Sequence, residues 1–424
     1  MVGETGPKAR QVAEKKTFLF LQGHPTFFCV RLGDALKAEG HAVRKVRLSG
    51  QDLLFWPRLG ADSYRGGFAR WRVWLTDYVN QHGVTDIIYY ADRHPYHVEA
   101  LAVARSVGIR AWALEFGYLR PDWLTLEPEA MGAFSLFPKD PEKIRALGES
   151  AGPLAHDEHD SAYSHSFLEE ALFDIARNVA HAVAMPFYPL YKSDAPFSMV
   201  EDYYYWIQNL VTTDNAEARA SKVQAQCEKE GVEYNLLAMQ LAHDYQIRAS
   251  THYNHLIDMV EEVFASFAEH APRNRRLVIK QHPLDNGYQN WPRRIGALKE
   301  KYNLTRQVRM IRGGDLGSLI RNSKGVVLAN STVGLHAARA GVPTLALGEA
   351  VYDIPGITHQ AGIDSFWTAP EPVDPRLERL MVRAMAAEIQ VRGSFYDKGG
   401  QKAAIEEIVD RLTRRPYPEW ALAS

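Results

Sequence analysis

The sequence has few cysteines, no long apolar run and no excess of charge of either sign. Its 424 residues hold two cysteines, Cys29 and Cys227. They lie far apart and lack metal-ligand spacing, which argues against a disulfide framework or a structural zinc site and suits a reducing compartment. No apolar stretch approaches the roughly 18 residues of a membrane span. Lys and Arg number 49 against 51 Asp and Glu, a formal net charge of −2. That balance excludes a generally basic protein that coats nucleic acid. Internal repeats, low-complexity segments and polybasic runs are absent too. The first 16 residues are polar and charged, with Lys8, Arg10, Lys15 and Lys16, and lack the apolar core of a secretory signal. They read as a mobile leader, and the expected location is the cytoplasm.

What is present points to a globular α/β protein. The hydrophobic share of 46% and charged share of 24% are those of a soluble fold. The length suffices for two domains. Residues 17–22, 42–48, 86–90 and 109–114 read as strands. Helical patterns at 27–39, 70–81 and 96–107 alternate with them, which argues for a parallel, doubly wound sheet. From Pro138 to about Lys222 the pattern changes. This stretch is rich in histidine and aromatics, carries a long helix at Ser166–Val183, and is broken by Pro186, Pro189 and Pro196. A second βαβ series follows from 233 to 347, and 375–413 reads as helices. The expected division is a leader (1–16), a first Rossmann-like domain with a helical linker (17–190), a second such domain (191–375) and C-terminal helices (376–424) that pack back on the first.

The stretch Asn330-Ser331-Thr332-Val333-Gly334-Leu335-His336 follows a buried-strand run, Gly325–Ala329, and opens an alanine-rich helix that ends at Gly341-Val342-Pro343. Two readings are open. Ser and Thr favour ordinary helix caps. They also add hydroxyl donors where a helix N-terminus attracts phosphate. Lys280-Gln281-His282-Pro283 favours the second. It ends another strand run, and Pro283 turns the chain out of the sheet. That exposes His282 at a carboxyl strand end, where open α/β sheets bind ligands. Turn carboxylates Glu349 and Asp353 are candidates for a ribose or base contact.

With these motifs on the page, the chain resembles the capsule-polysaccharide β-Kdo transferases, the KpsS/KpsC/LipB group, and fits its single-module KpsS branch over roughly residues 17 to 400. The resemblance is carried by several strings. Near the N-terminus stand Phe18–Phe28, with Gln22-Gly23-His24-Pro25, and Gly50–Pro57. Midway come Ala91-Asp92-Arg93-His94-Pro95-Tyr96-His97 and Glu115-Phe116-Gly117-Tyr118-Leu119-Arg120-Pro121-Asp122-Trp123-Leu124-Thr125-Leu126-Glu127. Later come Met239–Gln246, the His-Pro pair, the Ser-Thr helix and Tyr352–Thr358.

The resemblance implies a GT-B glycosyltransferase: two Rossmann-like domains facing a cleft, donor on the second, acceptor on the first. It implies CMP-Kdo as donor, held by Lys280, His282, Pro283, Asn330, Ser331, Thr332, Glu349 and Asp353. CMP carries one phosphate and the chain has no Asp-x-Asp motif, so no metal and no cofactor are expected. Gln22, Arg93, His97, Arg120, Asp244 and Gln246 are the acceptor-side candidates, with Arg120 suited to the Kdo carboxylate. The implied acceptor is a phosphatidylglycerol-type lipid or early glycolipid at the inner face of the cytoplasmic membrane. Capsule synthesis and export proteins are the implied partners, and nucleic acid is not one. Ala184–Lys192 and Tyr203–Trp206 are candidates for lipid contact, or for plain packing. Related two-module enzymes retain anomeric configuration and use a carboxylate just before the glycine of the Gly-Tyr string. Here Phe116 holds that position. Glu115 is then the first candidate catalyst, with Asp92 and Glu127 in reserve. Two rival readings stand beside this one: another nucleotide sugar on the same scaffold, and a non-catalytic export scaffold.

Overall fold

A computed structural model describes residues 14–154, 162–163, 167–193, 220–226, 231–241, 251–283, 285 and 287–422. The first sheet is built from the apolar runs of the N-terminal half. Its strands are β1 (Thr17–Phe20), β2 (Ala42–Arg47), β3 (Asp62–Ser63), β4 (Asp86–Tyr90), β5 (Arg110–Phe116) and β6 (Trp123–Pro128). The second half supplies β7 (Tyr234–Ala238), β8 (Arg276–Gln281), β9 (Val308–Arg312), β10 (Val326–Leu328) and β11 (Thr344–Ala346). A last short strand, β12 (Gln390–Arg392), returns to the first sheet. The two orders are β12-β6-β5-β4-β1-β2-β3 and β11-β10-β7-β8-β9. This is the GT-B arrangement of two α/β sheets.

The second sheet is parallel throughout, with Leu236 opposite both Val278 and Val326. Its central strands β7, β8 and β10 are buried on both faces, which is why they read as largely apolar runs. The edge strand β9 alternates with arginine and is partly exposed. The first sheet is parallel from β3 to β5, then reverses. β6 runs antiparallel to β5, placing Glu115 opposite Thr125, and β12 runs antiparallel to β6. Neither β6 nor β12 was expected from the sequence.

Helices fill both faces. Pro375–Glu388 starts at a cap where Asp374 accepts from the Arg376 and Leu377 amides, with Pro375 at the first helical position. It packs on Pro141–Ala151 so closely that a Cβ on Gly148 would lie 2.2 Å from the Leu380 carbonyl oxygen. Lys398–Thr413 packs against Phe28–Ala38 of the first domain. Buried Lys45 pairs with buried Asp52 at 2.6 Å, and the same ammonium donates to the Leu21 carbonyl. Among the described residues no helix is long and apolar enough to cross a membrane.

Candidate functional site

The carboxyl ends of β7, β8, β10 and β11 converge on one cleft of about 650 Å³, and the β5–β6 turn of the first domain forms its opposite wall. Strand exits supply the donor-side groups. After β8 the chain leaves through His282 and Pro283, both on the cleft wall. Lys280 is buried one residue before the strand end, and its ammonium donates to the Gly313 carbonyl at 2.7 Å. It therefore lends positive charge from beneath the surface and ties β8 to the loop after β9.

After β10 come Asn330, Ser331 and Thr332, all on the wall. Gln240, at the exit of β7, holds this turn from both sides. Its Nε2 donates to Asn330 Oδ1 at 2.9 Å, and the Asn330 amide donates to its Oε1 at 3.0 Å. The helix that follows is short, Val333–Arg339. The Ser331 hydroxyl accepts from the Val333 amide at 3.3 Å, and the Tyr352 hydroxyl donates to the Ser331 carbonyl. Gly334 is required beside it, since a Cβ there would sit 2.4 Å from the Tyr352 hydroxyl. Glu349 lines the cleft and reaches across to Lys139 of the first domain, 3.9 Å away. Asp353 does not line it. Its carboxylate accepts from the Thr358 hydroxyl at 2.7 Å and from Gln360 at 3.1 Å, so it shapes its own turn.

On the facing wall stand Glu115, Phe116, Tyr118 and Arg120. Glu115 is half-buried at the end of β5. Its Oε1 accepts from the Phe116 amide at 3.0 Å, and burial raises its pKa against the opposing bond from Tyr90. Strand alternation would send Glu115 and Phe116 to opposite faces. Both nonetheless line the cleft, from the last two positions of β5. Phe116 is boxed by His24 and Phe395, each edge-on at 5.3 Å, and the Arg120 guanidinium lies 5.3 Å above its ring.

The other candidates of the first domain lie behind this wall. Asp92 is buried, paired with Arg93 at 2.9 Å and accepting from the Met131 amide at 3.2 Å; desolvation still raises its pKa. Arg93 in turn covers the Phe134 ring at 4.0 Å. Glu127 is fully buried, accepting from the Tyr118 hydroxyl at 2.6 Å and from the Ser135 hydroxyl, and burial pushes its pKa up to about 8. His97 stacks on Tyr89 and shares a 2.9 Å bond with the Ala91 carbonyl, and burial holds its pKa well below the usual value. Gln22 donates to the Ser49 hydroxyl and accepts from that of Tyr191. These five groups are committed to the protein interior. Of the acceptor-side candidates, Arg120 alone reaches the cleft among the described residues, and Asp244 and Gln246 fall outside them.

Sequence reasoning passed over Gln240, Tyr118, His336 and Tyr352, which also line the cleft. Gln240 had a readable signal, the first polar side chain after a buried run. Tyr352 opens the Tyr352–Thr358 string, but its contact with Ser331 spans 21 residues and no local pattern shows it. Among the described residues no three His, Cys, Asp or Glu side chains gather as a metal site would require.

A family model for capsule polysaccharide biosynthesis proteins matches residues 85–396. The capsule polysaccharide export protein KpsS of Escherichia coli is 28% identical over 383 residues, covering 90% of this chain and 97% of KpsS. The capsule polysaccharide modification protein LipB of Neisseria meningitidis serogroup A is 29% identical over 402 residues, covering 90% and 92%. Among solved structures, the KpsC β-Kdo 2,7 transferase of Thermosulfurimonas dismutans aligns over 94% of this chain and all of that one. Its identity is 16% and its TM-score 0.43.

Proposed function

Because the chain belongs to the family of capsule polysaccharide biosynthesis proteins, we propose that it is a glycosyltransferase that moves Kdo from CMP-Kdo to a phosphatidylglycerol-type lipid or early glycolipid. The product would start the linker of a capsular polysaccharide. One observation carries the reading: a single cleft gathers His282, Asn330, Ser331 and Thr332 on one wall and Glu115 and Arg120 on the other. Hydroxyl and imidazole donors with a buried ammonium behind them suit a single phosphate. A carboxyl and a guanidinium opposite suit a sugar that is itself a carboxylic acid.

In the transfer, the bond from the anomeric carbon of Kdo to the CMP phosphate breaks and the acceptor oxygen bonds to that carbon on the face that CMP has left, so the configuration is retained. CMP leaves with the electron pair. Glu115 takes the acceptor's proton, a role that its raised pKa suits. Arg120 pairs with the sugar carboxylate, and His282 donates to the departing phosphate. The test is turnover of CMP-Kdo with the lipid acceptor, read by CMP release and by the anomeric configuration of the product, which is expected to be retained. Calorimetry with CMP and UDP separates the donor classes; preference for UDP would shift the reading to another nucleotide sugar.

Phe116 in the cleft wall favours a second reading, a non-catalytic member of a capsule export assembly. That reading requires CMP binding with no turnover under any acceptor condition.

A further inference from the structure

The helix Phe167–Ala184 lies along the first domain and carries its polarity the wrong way round for a surface helix. Its inner face is fitted tightly. A Cβ on Gly50 would meet the Ala180 carbonyl oxygen at 2.2 Å and the Ala184 methyl at 2.7 Å, and Phe173 packs among Phe27, Phe55 and Tyr396. Its outer face is apolar. Leu168, Leu172, Ile175, Val179 and Val183 are 67, 57, 46, 55 and 71% exposed. Spacings of four, three, four and four residues put them in one stripe. The charged residues of the helix and its histidine are all less exposed. Glu170 borders a second pocket, of about 430 Å³, that shares Phe116 and Arg120 with the cleft, and the fields of Glu170, Asp174 and Arg177 act on the Tyr396 hydroxyl. Glu170 thus looks toward the chemistry, Asp174 and Arg177 pair at the margin with 45 and 39% of their side chains exposed, and the apolar stripe looks out.

The stripe runs on past the helix into Met185, Phe187 and Leu190, each about 60% exposed. Eight large apolar side chains exposed along one stretch are the kind of surface that marks an interaction site. We infer that this surface seats the protein on a lipid bilayer, with the stripe in the acyl boundary and the second pocket at headgroup level. The shape of the patch selects this occupant. It leaves the α-helix and continues over the 3₁₀ turn Met185–Phe187 and on to Pro189 and Leu190, so a second helix cannot follow it as one straight seam, whereas a bilayer has no shape to match. Charge agrees at that end: Arg65 sits 6.0 Å from the Tyr188 ring and Lys192 4.4 Å from that of Phe68, both suited to lipid phosphates. The seat stands on the helix alone; that it presents a lipid acceptor to the cleft rests on the transferase reading.

Flotation of the full chain with vesicles of phosphatidylcholine and phosphatidylglycerol tests the seat. The wild type is expected to float. The combined variant Leu172→Gln, Ile175→Gln, Val179→Gln is expected to partition at least about tenfold less while keeping its circular dichroism melt. His282→Ala should float like the wild type while losing turnover, which keeps the seat separable from the chemistry. If CMP-Kdo is never turned over but flotation and its loss in the triple variant persist, the transferase reading falls and the seat stands. A wild type that stays with the soluble fraction, or a triple variant that floats as well, overturns the seat. So does a wild-type dimer in sedimentation velocity that the triple variant dissolves, since the stripe would then be an interface between copies.

Discussion

Gln240 and Asn330 hold each other by two hydrogen bonds, side chain to side chain at 2.9 Å and amide to side chain at 3.0 Å. The pair locks the exit of β7 to the turn that carries Ser331 and Thr332. Gln240→Ala removes both bonds and leaves the Asn330 amide to find water. A lost bond with a stranded partner costs about 1–3 kcal/mol, so the thermal midpoint should fall by a few degrees, and CMP affinity should fall roughly tenfold in calorimetry because the turn is no longer held.

His282 stands where the donor phosphate is proposed to sit. His282→Ala should weaken CMP binding and nearly abolish transfer while the fold persists, since a charge-assisted hydrogen bond of about 1.5–3 kcal/mol is removed. Unchanged affinity and turnover would remove His282 from the donor site.

Glu115→Gln keeps size and hydrogen bonding but removes the titrating group. A rate loss of at least about 10²-fold with CMP affinity preserved is expected if Glu115 moves the proton. Activity near wild type in Glu115→Gln, with loss in Asp92→Asn or Glu127→Gln, would transfer the role to a residue that now lies behind the cleft wall.

Buried Glu127 should leave its mark on stability. Its pKa is pushed up to about 8 by burial, from 4.5 in the open chain. Between those values the fold holds a proton that the unfolded chain has released. The stability contribution is therefore full below about pH 4.5 and lost as pH rises toward 8. Glu127→Gln should flatten the thermal midpoint across that window and leave turnover near wild type.

His24 acts in the opposite sense. Stacked 4.2 Å from Phe395 and enclosed by Tyr90, Phe116 and Tyr396, it is pushed down to about 3 by burial, from 6.5. The unfolded chain binds a proton that the fold refuses, so stability falls as pH drops from about 6.5 to about 3. His24→Phe, which keeps the stack and cannot titrate, should reduce that slope in acid denaturation.

Turnover should survive EDTA, because the proposed donor has one phosphate and His282, Ser331 and Thr332 supply the donors. Loss of activity in EDTA with rescue by Mg²⁺ or Mn²⁺ would overturn this view of the donor site.

The parallel strands were legible because each is a short apolar run bounded by turn residues; Asp86–Tyr90 reads the same from sequence and structure. So were His282 and Ser331, which follow such runs at the strand ends. β12 was not. It has three residues, and its partner Thr125 lies 265 positions away, bonded by the Gln390 amide at 2.9 Å. Glu127 looked available because a carboxylate near a strand end is usually solvated. Its burial arises from Tyr118 and Ser135 closing over it, a contact between turns that no local pattern encodes. The periodicity of Phe167–Ala184 was visible, but which of its faces packs inward is decided by Gly50 and Phe55, more than a hundred residues earlier.

The pairing of β12 with β6 also separates the order of synthesis from the order of assembly. Every strand from β1 to β6 leaves the ribosome before the second domain exists, yet β6 keeps an open edge until residues 390–392 arrive. An unpaired edge is a template for the wrong neighbour. The nascent first domain therefore carries this unpaired edge through the translation of some 260 further residues, and a chain cut short in that interval is expected to expose it.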